Sequence, residues 1–156
     1  MFINYFYPLT QVPPKEACSL IDFYHIWRNS NSELTIPLRK DLSFEKLGGW
    51  HANIRLVDLE NSTPEADKII ISGNIFNNYF GKETMGTEIR SSTTLDPEII
   101  KGYNKFLKYF HSNHYGLVFG ATPNLDSRLH DVIWIDLPLS NDGTTITHML
   151  TALIPL

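Results

Sequence analysis

Few side chains in this sequence are equipped for chemistry, and their types and spacing limit what that chemistry could be. His148 stands alone in the apolar run "TTITHMLTALI", where it could serve as an acid–base group if Asp136 or Asp58 stood beside it. "HSNH" sets His111 and His114 three residues apart, a spacing that can share a metal but supplies only two of the three or four ligands a site needs. The end of a helix also suits histidine without any metal. "DSRLHD" gathers Asp126, Arg128, His130 and Asp131 at the start of a strand, the usual composition of a solvated edge. Cys18 is the chain's one cysteine, so it can form no internal disulfide; set among aliphatic residues, it reads as structural. "GKETMG" lacks the Gly-Lys-Ser/Thr ending of a phosphate loop, and its glycines read as turn residues.

The elements that hold these residues begin with the C-terminal hairpin, "IDLPLSNDGTTITHMLTALIPL". A two-residue turn at Asp142-Gly143 predicts Leu139 opposite Ile146, Leu137 opposite His148, Ile135 opposite Leu150 and Ile133 opposite Ala152. One face is then apolar except for His148. The other carries Trp134, Asp136, Pro138 and Ser140 against Thr145, Thr147, Met149 and Thr151. Pro138 cannot donate to a ladder, so it belongs at a non-bonding position, a bulge, or where the neighbouring strand has ended. His148 is then either a buried histidine satisfied by a nearby carbonyl or hydroxyl, or the polar group of an apolar ligand cavity.

The remaining pattern describes an α+β domain. Pro13 and Pro14 open a helix over about residues 14–29, with Ala17, Leu20, Tyr24 and Trp27 on one stripe. The strands are expected at residues 51–59, 67–73, 115–121, 128–139 and 144–154, as one five-stranded antiparallel sheet. "ENSTPEAD" reads as a loop. "NIFNNYFG" is a short helix. Asp96-Pro97 caps a longer one bearing Ile99, Tyr103, Phe106, Leu107 and Phe110 on one face. Phe76, Tyr79 and Phe80 with Tyr103 and Phe106 are expected to face the sheet side that carries Leu137 and His148. These seven residues are the candidate ligand set, and a fully packed core is the alternative.

Composition sets outer limits. At 156 residues the chain reads as a single domain, residues 1–30 forming an N-terminal segment with a flanking helix and residues 51–156 the core. Apolar residues at 42% and charged residues at 19% exclude a disordered chain. A net charge of −4 with no Lys/Arg cluster gives no basis for binding nucleic acid or an anionic membrane. There is no apolar run long enough to span a bilayer and no basic n-region or cleavage site at the start, so a cytoplasmic, mature protein is expected.

Several short elements in order resemble one family. They are Tyr24, Trp27 and Arg28; then Pro37, Arg39 and Asp41; then "ISGNIFNNYFG" with Gly81 to Gly86; and last Leu137, Pro138, Leu139, Ser140, Asp142 and Gly143. Over most of its length the chain resembles the PAS-like domain of small stand-alone alphaproteobacterial proteins. It departs at Ile70, where the family has arginine, and at Asn74, where it has threonine. The resemblance implies a five-stranded antiparallel sheet with helices over one face. It also implies a role in sensing or protein interaction rather than catalysis, and it names no cofactor. Since some PAS domains hold haem through a helix histidine, His111 is the one position on the longer helix that could do so.

Two other readings stand beside the sensory one: an acid–base enzyme on a cone-like α+β fold, and a structural interaction domain with a filled core. A lone sensory domain passes its signal by contact, which implies a protein partner or a homodimer. The sheet face bearing Trp134 and Met149, with Ile69 and Ile71, is expected to need cover. The first helix and the aromatic segment Phe2 to Leu9 are the elements able to supply it, from the same chain or a second copy.

Overall fold

The computed structural model describes residues 2–59, 68–80, 97–123 and 128–156, apart from the side chains of Phe80 and of residues 97–100, 102–104 and 123. The loop "ENSTPEAD", the Gly81 to Gly86 element, the Asp96 cap and Asp126 therefore lie outside the described residues. Six strands form one sheet: β1 (Phe2–Pro8), β2 (Ile54–Asp58), β3 (Lys68–Ser72), β4 (His114–Pro123), β5 (Leu129–Ser140) and β6 (Ile146–Pro155). Their spatial order is β1-β4-β5-β6-β2-β3, and every ladder is antiparallel. Three helices complete the fold: α1 (Leu20–Ser30), α2 (Asn74–Phe80) and α3 (Pro97–Phe110).

The expected strands are present, with a sixth in addition. Residues 2–8 pair along β4 from Phe2↔Gly120 to Pro8↔His114, so the N-terminal aromatic segment is part of the sheet. The first helix is shorter than expected. Residues 15–17 make a single 3-10 turn, and Cys18, expected to be buried in the helix, is instead exposed at φ 54, a left-handed conformation that ends the turn before α1 begins. In α1, Leu20, Phe23, Tyr24 and Trp27 recur at helical spacing and are all buried.

Cross-strand partners share a face, so the registers sort the sheet into two surfaces. The first carries Ile54, Leu56 and Asp58; Tyr115, Leu117 and Phe119; Ile133, Ile135, Leu137 and Leu139; and His148, Leu150 and Ala152. The N-terminal helix covers it. The Tyr24 ring lies 5.4 Å from Tyr115, and Trp27 Nε1 donates to the Pro138 carbonyl at 2.8 Å. The second face carries Arg55 and Val57, Gly116 and Val118, Trp134 and Asp136, and Met149 and Thr151. It lies under the mid-chain helices: Phe106 of α3 sits where a Cβ on Gly116 would be, and Phe76 of α2 lies 4.7 Å from the Arg55 guanidinium.

This arrangement corrects the expected assignment of faces. The mid-chain helices cover the face of Asp136 and Thr151, not the face of Leu137 and His148. Met149 and Ile69 are buried beneath them rather than awaiting cover, while Ile71 is exposed on the edge strand β3. α1 folds back within the chain.

The hairpin register is also corrected. Leu139 stands opposite His148, Leu137 opposite Leu150, Ile135 opposite Ala152 and Ile133 opposite Ile154. That is two residues away from the expected register, which is why the faces survive. The loop is longer than a two-residue turn because Asp142 organises it. Its carboxylate accepts from the N–H groups of Thr144 and Thr145 and from the Ser140 hydroxyl, and is held well below the usual carboxylate range as a result. Gly143 takes φ 88 within it. Pro138 sits beyond the last β4–β5 pair, Gly116↔Asp136, so its missing N–H faces a side where that ladder has ended. Residues 37–38 extend along that side, with Ser140 N–H donating to the Pro37 carbonyl.

Gly73 joins β3 to α2 against the 3-10 turn at His51–Asn53. A Cβ there would lie 2.4 Å from the Ala52 carbonyl oxygen and 2.5 Å from that of His51. These are backbone atoms that cannot rotate away. Gly73→Ala is expected to lower stability by about 1–3 kcal/mol, read as a lower urea midpoint with unchanged m-value.

Candidate functional site

A row of polar residues crosses the second face. Gly116 on β4 pairs with Asp136 on β5, Asp136 with Thr151 on β6, Thr151 with Arg55 on β2, and Arg55 with Ser72 on β3. Four polar residues thus stand side by side across four adjacent strands, in a sheet whose other rows are mainly apolar. Asp136, Thr151 and Arg55 are buried. The reason is periodic: in a strand of period two, a single polar residue at matched positions in neighbouring strands makes a continuous line.

Each group in the row is bonded. The Thr151 hydroxyl donates to Asp136 Oδ1 at 2.5 Å, and Trp134 Nε1 donates to Asp136 Oδ2 at 3.2 Å. Burial nonetheless pushes the Asp136 carboxyl up to about 7, with these two bonds opposing the rise. Arg55 donates from Nε and Nη2 to Ser72 Oγ at 3.4 and 3.3 Å. Burial pulls the Arg55 guanidinium down to about 10, and its charge lies over the Phe76 ring. Ser72 in turn donates to Asn77 Oδ1 of α2 at 2.7 Å. The row therefore ends in a side-chain chain, Arg55–Ser72–Asn77, that ties the sheet to a helix. Chemically it offers a carboxyl able to donate or accept a proton near neutral pH, and a cation bound to the element above it.

The expected ligand residues divide between the two faces. Phe76, Tyr79 and Phe106 are buried on the side of the polar row, Tyr79 with its ring 6.1 Å from His130. Leu137 and His148 lie on the opposite face. The side chains of Phe80 and Tyr103 lie outside the described residues. His148 is buried, with Nδ1 2.8 Å from Thr147 Oγ1 and Nε2 3.2 Å from Arg39 Nη1. Arginine only donates, so Nε2 accepts and Nδ1 carries the proton given to Thr147. Asp58 stands opposite His148 in the ladder, whereas Asp136 is on the other face. Among the described residues no three potential metal ligands converge.

Sequence reasoning missed Arg55, Thr151, Ser72 and Trp134 as a set, and weighed Asp136 only as a partner for His148. The signal was available in "YGLVFGAT". Gly116 and Gly120 fall on one face of β4, and side chains from outside that strand, Phe106 and Phe2, fill the space above them.

The first, second and last of the elements that carried the family resemblance converge at one end of the first face, whereas "ISGNIFNNYFG" runs through β3 and α2 beside the polar row. Trp27 binds Pro138, and Arg28 donates to the carbonyls of Asn31, Leu34 and Thr35 while lying over the Trp27 ring. Asn31 donates to Asp41, and Arg39 meets His148. These contacts mostly satisfy backbone carbonyls and clasp α1 to the β5–β6 hairpin.

No protein-family model matches the sequence, and no curated protein is similar to it. Solved structures do match its fold. One is described as an RNA-binding light-oxygen-voltage receptor, with TM-score 0.55 and 13% identity over 99% of this chain and 39% of that one. Another, a light-oxygen-voltage domain studied with a flavin analogue, has TM-score 0.50 and 14% identity over 72% of this chain and 82% of that one. This chain thus spans well under half the length of the first. Light-oxygen-voltage domains are a PAS subfamily, and the fold of this chain is PAS-like.

Proposed function

We propose that this chain is a PAS-type sensory or interaction module in signal transduction, and not an enzyme. The observation that carries the reading is the buried polar row beneath α2 and α3, in a fold shared with light-oxygen-voltage receptors. Its ligand is a small amphipathic molecule. Its polar edge exchanges a hydrogen bond with Asp136 or Arg55, and its apolar body lies against Phe76, Tyr79 and Phe106, with Phe80 and Tyr103 on the same helices. Leu137 and His148 have no part in this set. The Arg55–Ser72–Asn77 chain gives the ligand a way to move α2, and a protein partner or a second copy reads that movement. The working place is the cytoplasm. RNA binding belongs to the neighbour so described, and a net charge of −4 gives no reason to extend it here.

The filled-core reading has its own support, because among the described residues every buried side-chain nitrogen and oxygen has a partner. Native mass spectrometry of protein purified from its own cells separates the two. A retained small molecule that is lost in Asp136→Leu, while the far-ultraviolet spectrum stays unchanged, is the expected result. Bare protein mass in repeated preparations would reject the ligand reading and leave the interaction module with a filled core.

A further inference from the structure

The strand β1 forms one outer edge of the sheet and is built to pair with itself. Leu9 N–H donates to the Asn113 carbonyl, continuing the β1–β4 register, so the odd-numbered residues of β1 direct their backbone groups towards β4. The even-numbered Phe2, Asn4 and Phe6 direct theirs outward, while Pro8 has no N–H and its carbonyl accepts from the Gln11 N–H at 2.9 Å. Natural sheets guard such an edge with charge, proline or brevity. The opposite edge, β3, is five residues long and begins with Lys68. β1 is seven residues long, carries no charged side chain, and has a proline only at its last position.

Its flanks are apolar. Ile3 and Tyr5 are 49% and 46% exposed on the first face, beyond the reach of α1, with Tyr5 edge-on to Phe119 at 5.9 Å. On the second face Phe6 stacks on Tyr109 at 4.4 Å, and Tyr109 is itself 46% exposed.

We propose that β1 is a homodimer interface, in which a second copy adds its own β1 antiparallel across a two-fold axis at Tyr5. The register follows from the outward groups. With Tyr5 facing its copy, Asn4 and Phe6 of the second copy exchange both N–H···O bonds. Phe2 falls opposite Pro8 of the second copy, so Pro8, with no N–H and with its carbonyl bonded to Gln11, lies at the rim of the ladder. Ile3 meets Tyr7 on one face and Phe2 meets Pro8 on the other. A residue beside a two-fold axis meets its own copy, so any charge there would repel itself, and β1 has none. An edge strand supplies backbone donors and acceptors as well as apolar surface. That selects a strand as its occupant, and the uncharged, self-matching sequence selects this one. The interface is independent of whatever the polar row binds.

Sedimentation of the intact chain and two variants tests this. Asn4→Pro removes an outward N–H that bonds to none of the described residues, and Tyr5→Lys sets two like charges on the axis from an exposed position. The intact chain is expected to sediment as a dimer, with each variant weakening association by at least about tenfold while its circular dichroism is unchanged. Val12→Lys, at an exposed apolar residue away from the edge, should leave the dimer intact. A monomer at every concentration for the intact chain would overturn the proposal. So would a dimer indifferent to Tyr5→Lys, which decides the matter even if Asn4→Pro perturbs the fold.

Discussion

Replacing Trp27 with alanine is expected to destabilise the chain by about 3–5 kcal/mol, the cost of emptying the space of a fully buried aromatic. Trp27 is fully buried between α1 and the hairpin. Its indole N–H also satisfies the Pro138 carbonyl, which faces a side of β5 where the β4–β5 ladder has ended. Truncation would leave that carbonyl short of a donor, at a further cost of order 1–3 kcal/mol. Arg28 would lose the ring it lies over, though not the carbonyls it holds. Urea unfolding followed by circular dichroism measures the loss. Trp27→Phe separates the contributions, since it keeps much of the packing and removes the hydrogen bond; about 1–2 kcal/mol is expected for it. An alanine variant within about 1 kcal/mol of the parent would show that α1 is not clasped through this residue.

The second large effect is on pH dependence. Asp136 has its folded-state value raised to about 7, against an unfolded reference of about 3.9. Folding therefore favours its protonated form. The associated stability is fully present below about pH 4, is lost as pH rises from about 4 to about 7, and changes no further above that. Three units correspond to roughly 4 kcal/mol. Asp136→Asn keeps an acceptor for Thr151 and cannot ionise. Its stability should be flatter with pH across that window, although its NH2 cannot accept from Trp134 Nε1 as Asp136 Oδ2 does. Arg55, at about 10, stays charged throughout and contributes no slope there. Parallel pH profiles for parent and variant would mean that Asp136 ionises as an exposed carboxyl does.

The sheet was largely legible in the sequence, because strand alternation is a local signal. The faces of β5 and β6 follow from it, and they survive a wrong turn length because the error was an even number of residues. What was not legible is which helix covers which face. Both faces of this sheet are buried, so amphipathic pattern shows that each needs a cover without naming it. The more apolar face, whose polar side chains include Asp58 and His148, went to α1, which packs its stripe of Leu20, Phe23, Tyr24 and Trp27 there. The candidate ligand set was split for that reason. β1 was misjudged because "FINYFYP" was read for its aromatics rather than for its strand length and β-forming composition. Asp136 and Thr151 meet Arg55, far from both in sequence, only through two registers, a relation no local pattern contains.

The place of β1 in the sheet also fixes when it can form. Phe2 pairs with Gly120 and Pro8 with His114, more than a hundred residues later in the chain. A ribosome making this protein releases β1 well before the strand that pairs with it. Until then the segment has nothing to pair with, and closing so long a loop is slow. As an edge strand held by a long-range register, β1 is expected to fray early, and its amide protons should exchange ahead of those of β5 and β6. Until β4 is made, β1 is an uncharged, strand-forming segment without its partner, and on crowded polysomes such segments from neighbouring chains are within reach of one another.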